Sequence, residues 1–261
     1  MGDRVDCPPG KPEKDHCVRL RGYIALLKRE NFVIDIEPLR FAWTPGDTDT
    51  LALGRLHLAP GQTVLLHGPS GCGKSTLLGL LAGVLLPQQG RVSLLGQDWA
   101  ALKPGQRDAF RADHVGVIFQ QFNLLPYLSV LDNVTLPCRF STVRRERCQV
   151  LGGPEASAQN CLQRMGLPEA LWTRRADTLS VGQQQRVAAA RALIGQPELI
   201  LADEPTSALD TALRRGFMDL LLQSARDAGS TLVCVSHDEQ QAARFALQWS
   251  LPELQHSGVS E

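Results

Sequence analysis

The feature that most constrains this chain is a glycine-rich segment of nine residues: Gly68, Pro69, Ser70, Gly71, Cys72, Gly73, Lys74, Ser75 and Thr76. It fits the phosphate-binding spacing G-x-x-x-x-G-K-[ST], and it stands between an apolar strand pattern at 63–66 and a helical pattern at 76–86. At such a turn, backbone N–H groups and the helix N-terminus direct partial positive charge at phosphate. Lys74 is placed to reach the β- and γ-phosphates, and Ser75 to bind Mg²⁺ through its hydroxyl. The chain is therefore predicted to bind a nucleoside triphosphate.

Charge and cysteine content narrow the class of protein. The 261 residues include 27 Lys plus Arg and 27 Asp plus Glu, a formal net charge of zero, so no nucleic-acid partner is expected. Seven cysteines without regular spacing favour reduced cytosolic thiols over a disulfide framework. The longest apolar run, 77–86, is shorter than the roughly 20 residues of a membrane span, so we expect a soluble chain. Residues 1–32 are expected to form a partly disordered N-terminal extension, with no signal peptide in 1–16.

Alternating strand and helix patterns predict an α/β fold. Strands are predicted at 33–43, 63–66, 91–95, 115–119, 199–202 and 232–235, and helices at 18–28, 76–86 and 181–194. Between 124 and 175 strand signals are sparse, and prolines and glycines interrupt helical stretches, which indicates a helical insertion. The alternation predicts a mainly parallel sheet that binds ligands at the carboxyl ends of its strands.

Two adjacent carboxylates end the apolar strand at 199–202. Asp203 suits a Mg²⁺ ligand, bound directly or through water. Because successive side chains alternate sides along extended backbone, Glu204 is expected to point away from Asp203 and to face an attacking water. The alternative is a pair of solvated acids at a strand end, which the phosphate-binding segment makes less attractive.

The residues Ser180 and Gln183 have the spacing of a helix capping box. Such a pair satisfies free N–H groups at a helix start, whatever else the segment does. A helix N-terminus that contains a serine and a glycine is also a second candidate anion site, formed by Ser180, Val181, Gly182 and Gln183.

Further polar residues follow two other buried strands. His237 comes just after the strand at 232–235, where it is placed to hydrogen-bond the γ-phosphate, although a lone histidine is more often structural or solvated. Gln120 follows the strand at 115–119 and is a candidate for contact with Mg²⁺ or the lytic water. Gln121 is a weaker candidate for the same role.

Taken in order along the chain, these segments resemble the ATP-binding cassette (ABC) ATPases of transporters, over about residues 33–250. The matching motifs are Walker A at 68–76, the Q-loop at Gln120, the signature motif at 179–183, Walker B at 201–205, the D-loop at 207–210 and the H-loop at His237. The resemblance implies a P-loop NTPase fold with a mainly parallel sheet core, an antiparallel β subdomain and an inserted helical subdomain. It places the ATP-binding domain at 33–255 and the helical subdomain at about 122–178.

The same resemblance implies roles for individual residues, with ATP and Mg²⁺ as cofactors. It assigns metal binding to Ser75, Gln120 and Asp203. It assigns catalysis to Lys74, Gln120, Glu204 and His237. Trp43 stands where the family has an aromatic residue, usually tyrosine, that stacks on adenine. An aromatic residue near a strand end is equally often part of the core. Asp210, in the D-loop, is a further nucleotide-binding candidate.

The resemblance also implies partners. Two cassettes, identical or different, would pair head to tail and hold each ATP between 68–76 of one subunit and 180–183 of the other. ATP binding would close the pair and hydrolysis would open it, which would drive a separate integral membrane permease from the cytoplasmic face of the membrane. Val181 replaces the first glycine of the usual Leu-Ser-Gly-Gly-Gln signature, which leaves the strength of that contact open. With Ser180 as N-cap, Val181 is expected to have a helical, negative φ that valine tolerates.

The assignment to a subfamily depends on a shorter sequence pattern. The sequence FQQFNLLP at 119–126, followed by LDNV at 131–134, is similar to lipoprotein-releasing and macrolide-export cassettes. Importers of amino acids and phosphonates have similar sequences there and remain an alternative, although we expect no regulatory extension after His237. A soluble cassette acting in DNA repair or translation is a further alternative, but coiled coils, zinc modules and a second cassette are not evident. A P-loop kinase would leave the signature motif and His237 unexplained.

Overall fold

A computed structural model describes residues 32–44, 46–207 and 209–257 of this chain. The helix predicted at 18–28 and nearly all of the predicted N-terminal extension lie outside these residues. Strands in the described part are β1 (Ile34–Ile36), β2 (Leu39–Phe41), β3 (Leu51–Leu53), β4 (Leu56–Leu58), β5 (Thr63–His67), β6 (Val92–Leu94), β7 (Gln97–Asp98), β8 (Val115–Ile118), β9 (Leu199–Asp203), β10 (Thr231–Val235) and β11 (Leu247–Ser250). Helices are α1 (Lys74–Leu81), α2 (Pro104–His114), α3 (Val130–Thr135), α4 (Pro137–Phe140), α5 (Thr142–Cys148), α6 (Pro154–Arg164), α7 (Val181–Leu193), α8 (Thr211–Asp227) and α9 (Leu251–Ser257).

A five-stranded sheet in the order β11-β5-β10-β9-β8 forms the centre, and every neighbouring pair in it is parallel. Val235 of β10 pairs with both Leu66 of β5 and Asp203 of β9, so these three strands end at the same level. The predicted mainly parallel sheet is confirmed. The segments that follow β5, β9 and β10 therefore meet at one edge of the sheet.

The central strands are apolar without interruption because both faces of the sheet are buried. Along β9, Leu199 and Leu201 pack into one hydrophobic core, while Ile200 and Ala202 pack into the other. The first core also receives the antiparallel strands and α1, and the second receives the helical segment and α8. Side chains alternate across the strand, so β9 contributes to both cores.

Antiparallel strands cover one part of the molecule, in a sheet ordered β4-β1-β6-β7 and in the hairpin β2-β3. The single strand predicted at 33–43 is wrong, because the chain forms β1 and β2 with a break at Glu37 and Pro38. Proline has no N–H to donate to a strand ladder, and here it separates strands that belong to two different sheets.

Short helices fill the chain between β8 and α7. Helices α3 to α6 occupy this stretch, and α3 and α6 pack on α7, which also packs on β8. The predicted helical insertion is present. Helix α1 begins at Lys74 and ends at Leu81, earlier at both ends than the predicted 76–86. It ends early because the chain turns at Gly83, whose backbone is left-handed with φ of +65°.

None of the helices in the described ranges is both long enough and apolar enough to cross a membrane.

Candidate nucleotide-binding and catalytic site

The phosphate-binding loop connects β5 to α1, as the sequence predicts. Gly71 and Gly73 have φ of +79° and +104°, a left-handed conformation that glycine adopts without steric cost. A Cβ atom at Gly73 would also lie 2.7 Å from the side chain of Leu51 in β3. Both the backbone conformation and this contact therefore require glycine at position 73. The loop therefore presents backbone to its concave side and leads directly into the helix N-terminus.

Lys74 lies buried at the first position of α1. Its Nζ donates to the carbonyl oxygens of Gly68, at 2.9 Å, and Pro69, at 2.8 Å. The ammonium group is thus held over the loop, where a buried positive charge needs an anionic partner. This arrangement suits the phosphates of a nucleotide.

The next residue on α1 joins the loop to β9. Ser75 Oγ donates to Asp203 Oδ2 at 3.0 Å. Burial is the main cause that raises the pKa of Asp203, and the hydrogen bond from Ser75 opposes it. A nearby cation would favour the ionised carboxylate.

Glu204 and His237 form a second pair at the same edge. Glu204 Oε1 and His237 Nε2 are 2.6 Å apart. The expected reason for the direction of Glu204 is wrong, because its backbone is left-handed, with φ of +44°, rather than extended. Its N–H donates to the carbonyl of Val235 at 3.1 Å, which fixes this turn against β10. A non-glycine residue at positive φ stores strain, and such residues cluster at functional sites.

Trp43 reaches this region through the hairpin β2-β3. Phe41 pairs with Leu51, and Leu51 packs against Gly73, so the end of β2 lies beside the phosphate-binding loop. The Trp43 side chain is 65% exposed, and its ring meets Phe41 edge to face at 5.4 Å between centroids. The alternative that Trp43 is a core residue is wrong.

The structure does not bring Gln120 into either side-chain pair. Gln120 and Gln121 are exposed in the loop after β8, which is the strand next to β9. Among the described residues, no hydrogen bond joins Gln120 to Asp203, Glu204 or Ser75. Its proposed contact with Mg²⁺ or water stays a prediction.

The signature segment begins α7 with the predicted capping box. Ser180 Oγ accepts from Gln183 N at 3.4 Å, and Gln183 Oε1 accepts from Ser180 N at 2.9 Å. Val181 is the first helical residue, its side chain is 47% exposed, and Gly182 follows it in the helix. Within the described residues this helix N-terminus makes no hydrogen bond to the phosphate-binding loop, so one chain presents the two candidate phosphate sites separately.

Asp210 has a structural role in the described chain. It caps α8, where its Oδ1 accepts from Leu213 N at 2.9 Å. Leu209, just before it, packs near Gly182 of the signature segment. The segment after β9 therefore contacts the N-terminal turn of α7.

Two polar side chains of α7 that sequence reasoning missed hold functional loops in place. Gln185 is fully buried and donates to the carbonyl of Pro205, the residue after Glu204. Arg191 donates to the carbonyls of Phe122, at 2.5 Å, and Asn123, at 2.7 Å, in the loop that follows Gln120. Each side chain is far in the sequence from the loop that it contacts, so no local sequence pattern predicts either hydrogen bond.

Chemically, this sheet edge offers a buried ammonium, a hydroxyl beside a carboxylate, and a carboxylate beside an imidazole. The ammonium suits phosphate. The hydroxyl and carboxylate suit a divalent cation that also binds phosphate. The carboxylate beside the imidazole suits a water molecule that must lose a proton to a base. The described residues hold no cluster of three or more histidine, cysteine or acidic side chains that could bind a metal by themselves. A cation here would depend on the nucleotide for further ligands.

Comparison with known proteins identifies the family of this chain. A family model described as "ABC transporter" matches residues 54–207. An ABC transporter ATP-binding protein of Mycobacterium tuberculosis is 38% identical over 207 residues, which are 78% of this chain and 81% of that protein. The macrolide export ATP-binding/permease protein MacB of Rhodopirellula baltica is 39% identical over 80% of this chain, which spans only 30% of MacB. The ATP-binding cassette MJ0796, solved as a dimer in a post-hydrolysis state with ADP and Pi, superposes with a TM-score of 0.69. It is 32% identical, and the match covers 83% of this chain and 94% of that one.

This chain belongs to the ABC transporter family. It is the ATP-binding cassette of that family, which binds ATP and hydrolyses it, and the resemblance inferred from its motifs is confirmed.

Proposed function

We propose that this cassette hydrolyses Mg-ATP in a head-to-tail pair and drives a separate membrane permease of the export or lipoprotein-release type. The observation that carries the proposal is the separation of the two candidate phosphate sites. The phosphate-binding loop lies at the sheet edge, whereas the capped N-terminus of α7 is exposed and makes no hydrogen bond to it in the described chain. Each site needs a second cassette to be complete, and the relative MJ0796 is a dimer in its solved structure.

The residues present fit a magnesium ion. Mg²⁺ keeps several waters and is usually bound by one or two protein groups plus substrate phosphates. Ser75 Oγ and Asp203 Oδ2, 3.0 Å apart beside the loop, are such a pair. When bound, the ion neutralises charge that develops on the β- and γ-phosphates.

The hydrolytic step is assigned to Glu204 and His237. The Glu204 carboxylate accepts a proton from the attacking water. His237 Nε2, 2.6 Å from that carboxylate, holds it in place, and the same N–H would turn to the γ-phosphate when ATP binds. Lys74 and the N-terminus of the second subunit's signature helix stabilise the transferred phosphoryl group. Gln120 senses the ion or the water once the pair has closed.

A groove between α2, α4 and α7 supports a permease partner. It has a volume of about 350 Å³, and its lining includes Arg111, Phe119, Phe140 and Arg191. Phe140 is 73% exposed, and Phe119 is also exposed. Exposed aromatic rings along such a groove suit the apolar face of an amphipathic permease helix. The similarity to MacB, whose name joins an ATP-binding part to a permease, favours an export or release system. Through such a partner the cassette would lie on the cytoplasmic face of the membrane.

The substitution Glu204→Gln tests the proposal. We expect the variant to bind ATP, to lose nearly all hydrolysis, and to accumulate as a dimer, because an amide orients water but accepts a proton poorly. Dimerisation is measured by light scattering with and without Mg-ATP, next to steady-state hydrolysis. The matched control is Glu253→Gln, a carboxylate in the first turn of α9. Turnover near the wild-type rate in Glu204→Gln would remove this carboxylate from the mechanism, and a monomer at saturating ATP would contradict the pairing.

A further inference from the structure

Two thiols of the helical segment lie side by side away from the ATP site. Cys138 in α4 and Cys148 at the end of α5 have their Sγ atoms 3.7 Å apart. Both side chains are buried, at 3% and 2% exposure. The pair is ten residues apart in the sequence, so it is brought together by the tight packing of α4 against α5.

The surroundings distinguish the two thiols. The hydrogen bond from Cys138, helped by Ser157, the backbone at Gly195 and the charge of Arg144, lowers the pKa of Cys148. The same hydrogen bond and burial raise the pKa of Cys138. Arg144 is itself fully buried, and among the described residues its Nε has no hydrogen-bond partner. Of the two thiols, Cys148 is therefore the one whose surroundings favour the thiolate, which is the reactive form of cysteine.

A cavity gives small molecules a way to Cys148. It has a volume of about 360 Å³, and its lining includes Cys148, Ser157 and Cys161, with Val150 and Leu151 exposed at its rim. Cys161 shares this cavity, yet burial raises its pKa to about 12. One cavity thus contains two thiols whose pKa values are shifted in opposite directions.

We propose that Cys148 and Cys138 are an oxidant-sensitive pair in which hydrogen peroxide entering the cavity converts Cys148 to a sulfenic acid that Cys138 resolves to a disulfide. The Cys148 thiolate attacks one peroxide oxygen and the O–O bond breaks. The other oxygen leaves as hydroxide and becomes water with the proton that the thiol lost. The Cys138 sulfur then attacks the sulfenic sulfur, the S–O bond breaks, and the departing hydroxide takes the Cys138 proton as a second water. Two thiols are oxidised, and one peroxide is reduced to two waters.

The geometry permits the second step with small movements. A disulfide needs about 2.05 Å between the sulfurs, so each must shift by less than about 1 Å from the present distance. The ring that the bond closes contains Arg144, which donates to the carbonyls of Val115, Ala192 and Ile194. Oxidation would therefore act where the helical segment is tied to the C-terminal end of α7.

The test is peptide mapping of the full-length protein after graded hydrogen peroxide. Arginines at 139, 144, 145 and 147 let trypsin separate the two cysteines, so the disulfide appears as two linked peptides. We expect the Cys138–Cys148 link to form at least about tenfold faster than Cys161 or Cys234 is oxidised, as their thiolate populations require. In Cys138→Ser, which keeps a hydroxyl donor beside Cys148 but cannot form a disulfide, dimedone should label Cys148. Cys161→Ala is the matched control and should form the link at the wild-type rate.

Three results would overturn the proposal. One is oxidation of Cys161 at doses that leave Cys138 and Cys148 reduced. Another is a disulfide that joins Cys148 to Cys7 or Cys17 instead. The third is dimedone labelling of Cys138 in Cys148→Ser as fast as Cys148 is labelled in Cys138→Ser. If a variant fails to fold, as judged by circular dichroism, the wild-type map still decides because it needs no substitution.

Discussion

The substitution Val181→Gly tests whether the valine weakens the signature site. Val181 is the first residue of α7 and follows the N-cap Ser180, and Gly182 is also helical, so neither position needs a left-handed backbone. Phosphate would be bound by the N–H groups of this helix start, which valine and glycine share. We expect a maximal ATPase rate within about tenfold of wild type, equivalent to roughly 1.4 kcal/mol in barrier.

The effect on stability is also limited by the structure. Complete burial of a valine is worth about 1.5–3 kcal/mol, and Val181 is 47% exposed, so its removal costs about half of that or less. Glycine at a helix position adds about 0.5–1 kcal/mol. The sum is well below the roughly 5–15 kcal/mol that holds a domain together, so the variant should fold and its rate can be interpreted.

Steady-state ATP hydrolysis is measured for the wild type, Val181→Gly and Ser180→Arg, in the permease complex if the free subunit is inactive. Ser180→Arg should lose most activity, because it removes the cap and fills the phosphate site with a long side chain. A hundredfold gain in Val181→Gly would refute the argument. It would mean that the natural chain has a degenerate signature site and works with a different second cassette.

Three further predictions concern nucleotide binding. Lys74→Ala should weaken Mg-ATP binding by about 3 kcal/mol, because it removes a buried positive charge that faces the phosphates. Lys103→Ala, at an exposed position, is the control and should bind as the wild type does. Unchanged affinity of Lys74→Ala by calorimetry would contradict the assignment of the phosphate-binding loop. Trp43→Ala should weaken binding by about 1–3 kcal/mol through lost stacking on adenine, and Trp43→Tyr should retain most of it; equal affinities of all three proteins would exclude stacking. Alkylation of the half-buried Cys72 should inhibit hydrolysis sterically, and ATP should slow the labelling; labelling at the same rate with saturating ATP would place this thiol outside the bound phosphates.

Local sequence patterns determined much of the site because the groups involved are neighbours along the chain. A strand, six residues and a helix N-terminus suffice to define the phosphate-binding loop, and Ser180 and Gln183 define their own capping box. The polar residues that end β9 and β10 were identifiable because buried parallel strands are continuous apolar runs, so the first polar residue marks the strand's end. The order of these segments was enough to indicate the family and the fold class.

Only the tertiary structure decided how residues distant in sequence meet. The left-handed turn at Glu204 follows from its backbone contact with β10, which no pattern within 199–204 encodes. Trp43 lies beside the loop because Phe41 pairs with Leu51 and Leu51 packs on Gly73. The strand predicted at 33–43 failed because Pro38 divides residues that pair in two separate sheets.

The same reason applies to contacts that sequence analysis did not suggest. Gln185 and Arg191 hold the loops after β9 and β8, and Cys138 meets Cys148, through packing of helices whose relative positions are set by the whole hydrophobic core. Side-chain periodicity tells which face of a helix is buried, but not which partner it is buried against. The sequence therefore determined which chemical groups are present and on which kind of element, and the tertiary packing determined which of them act together.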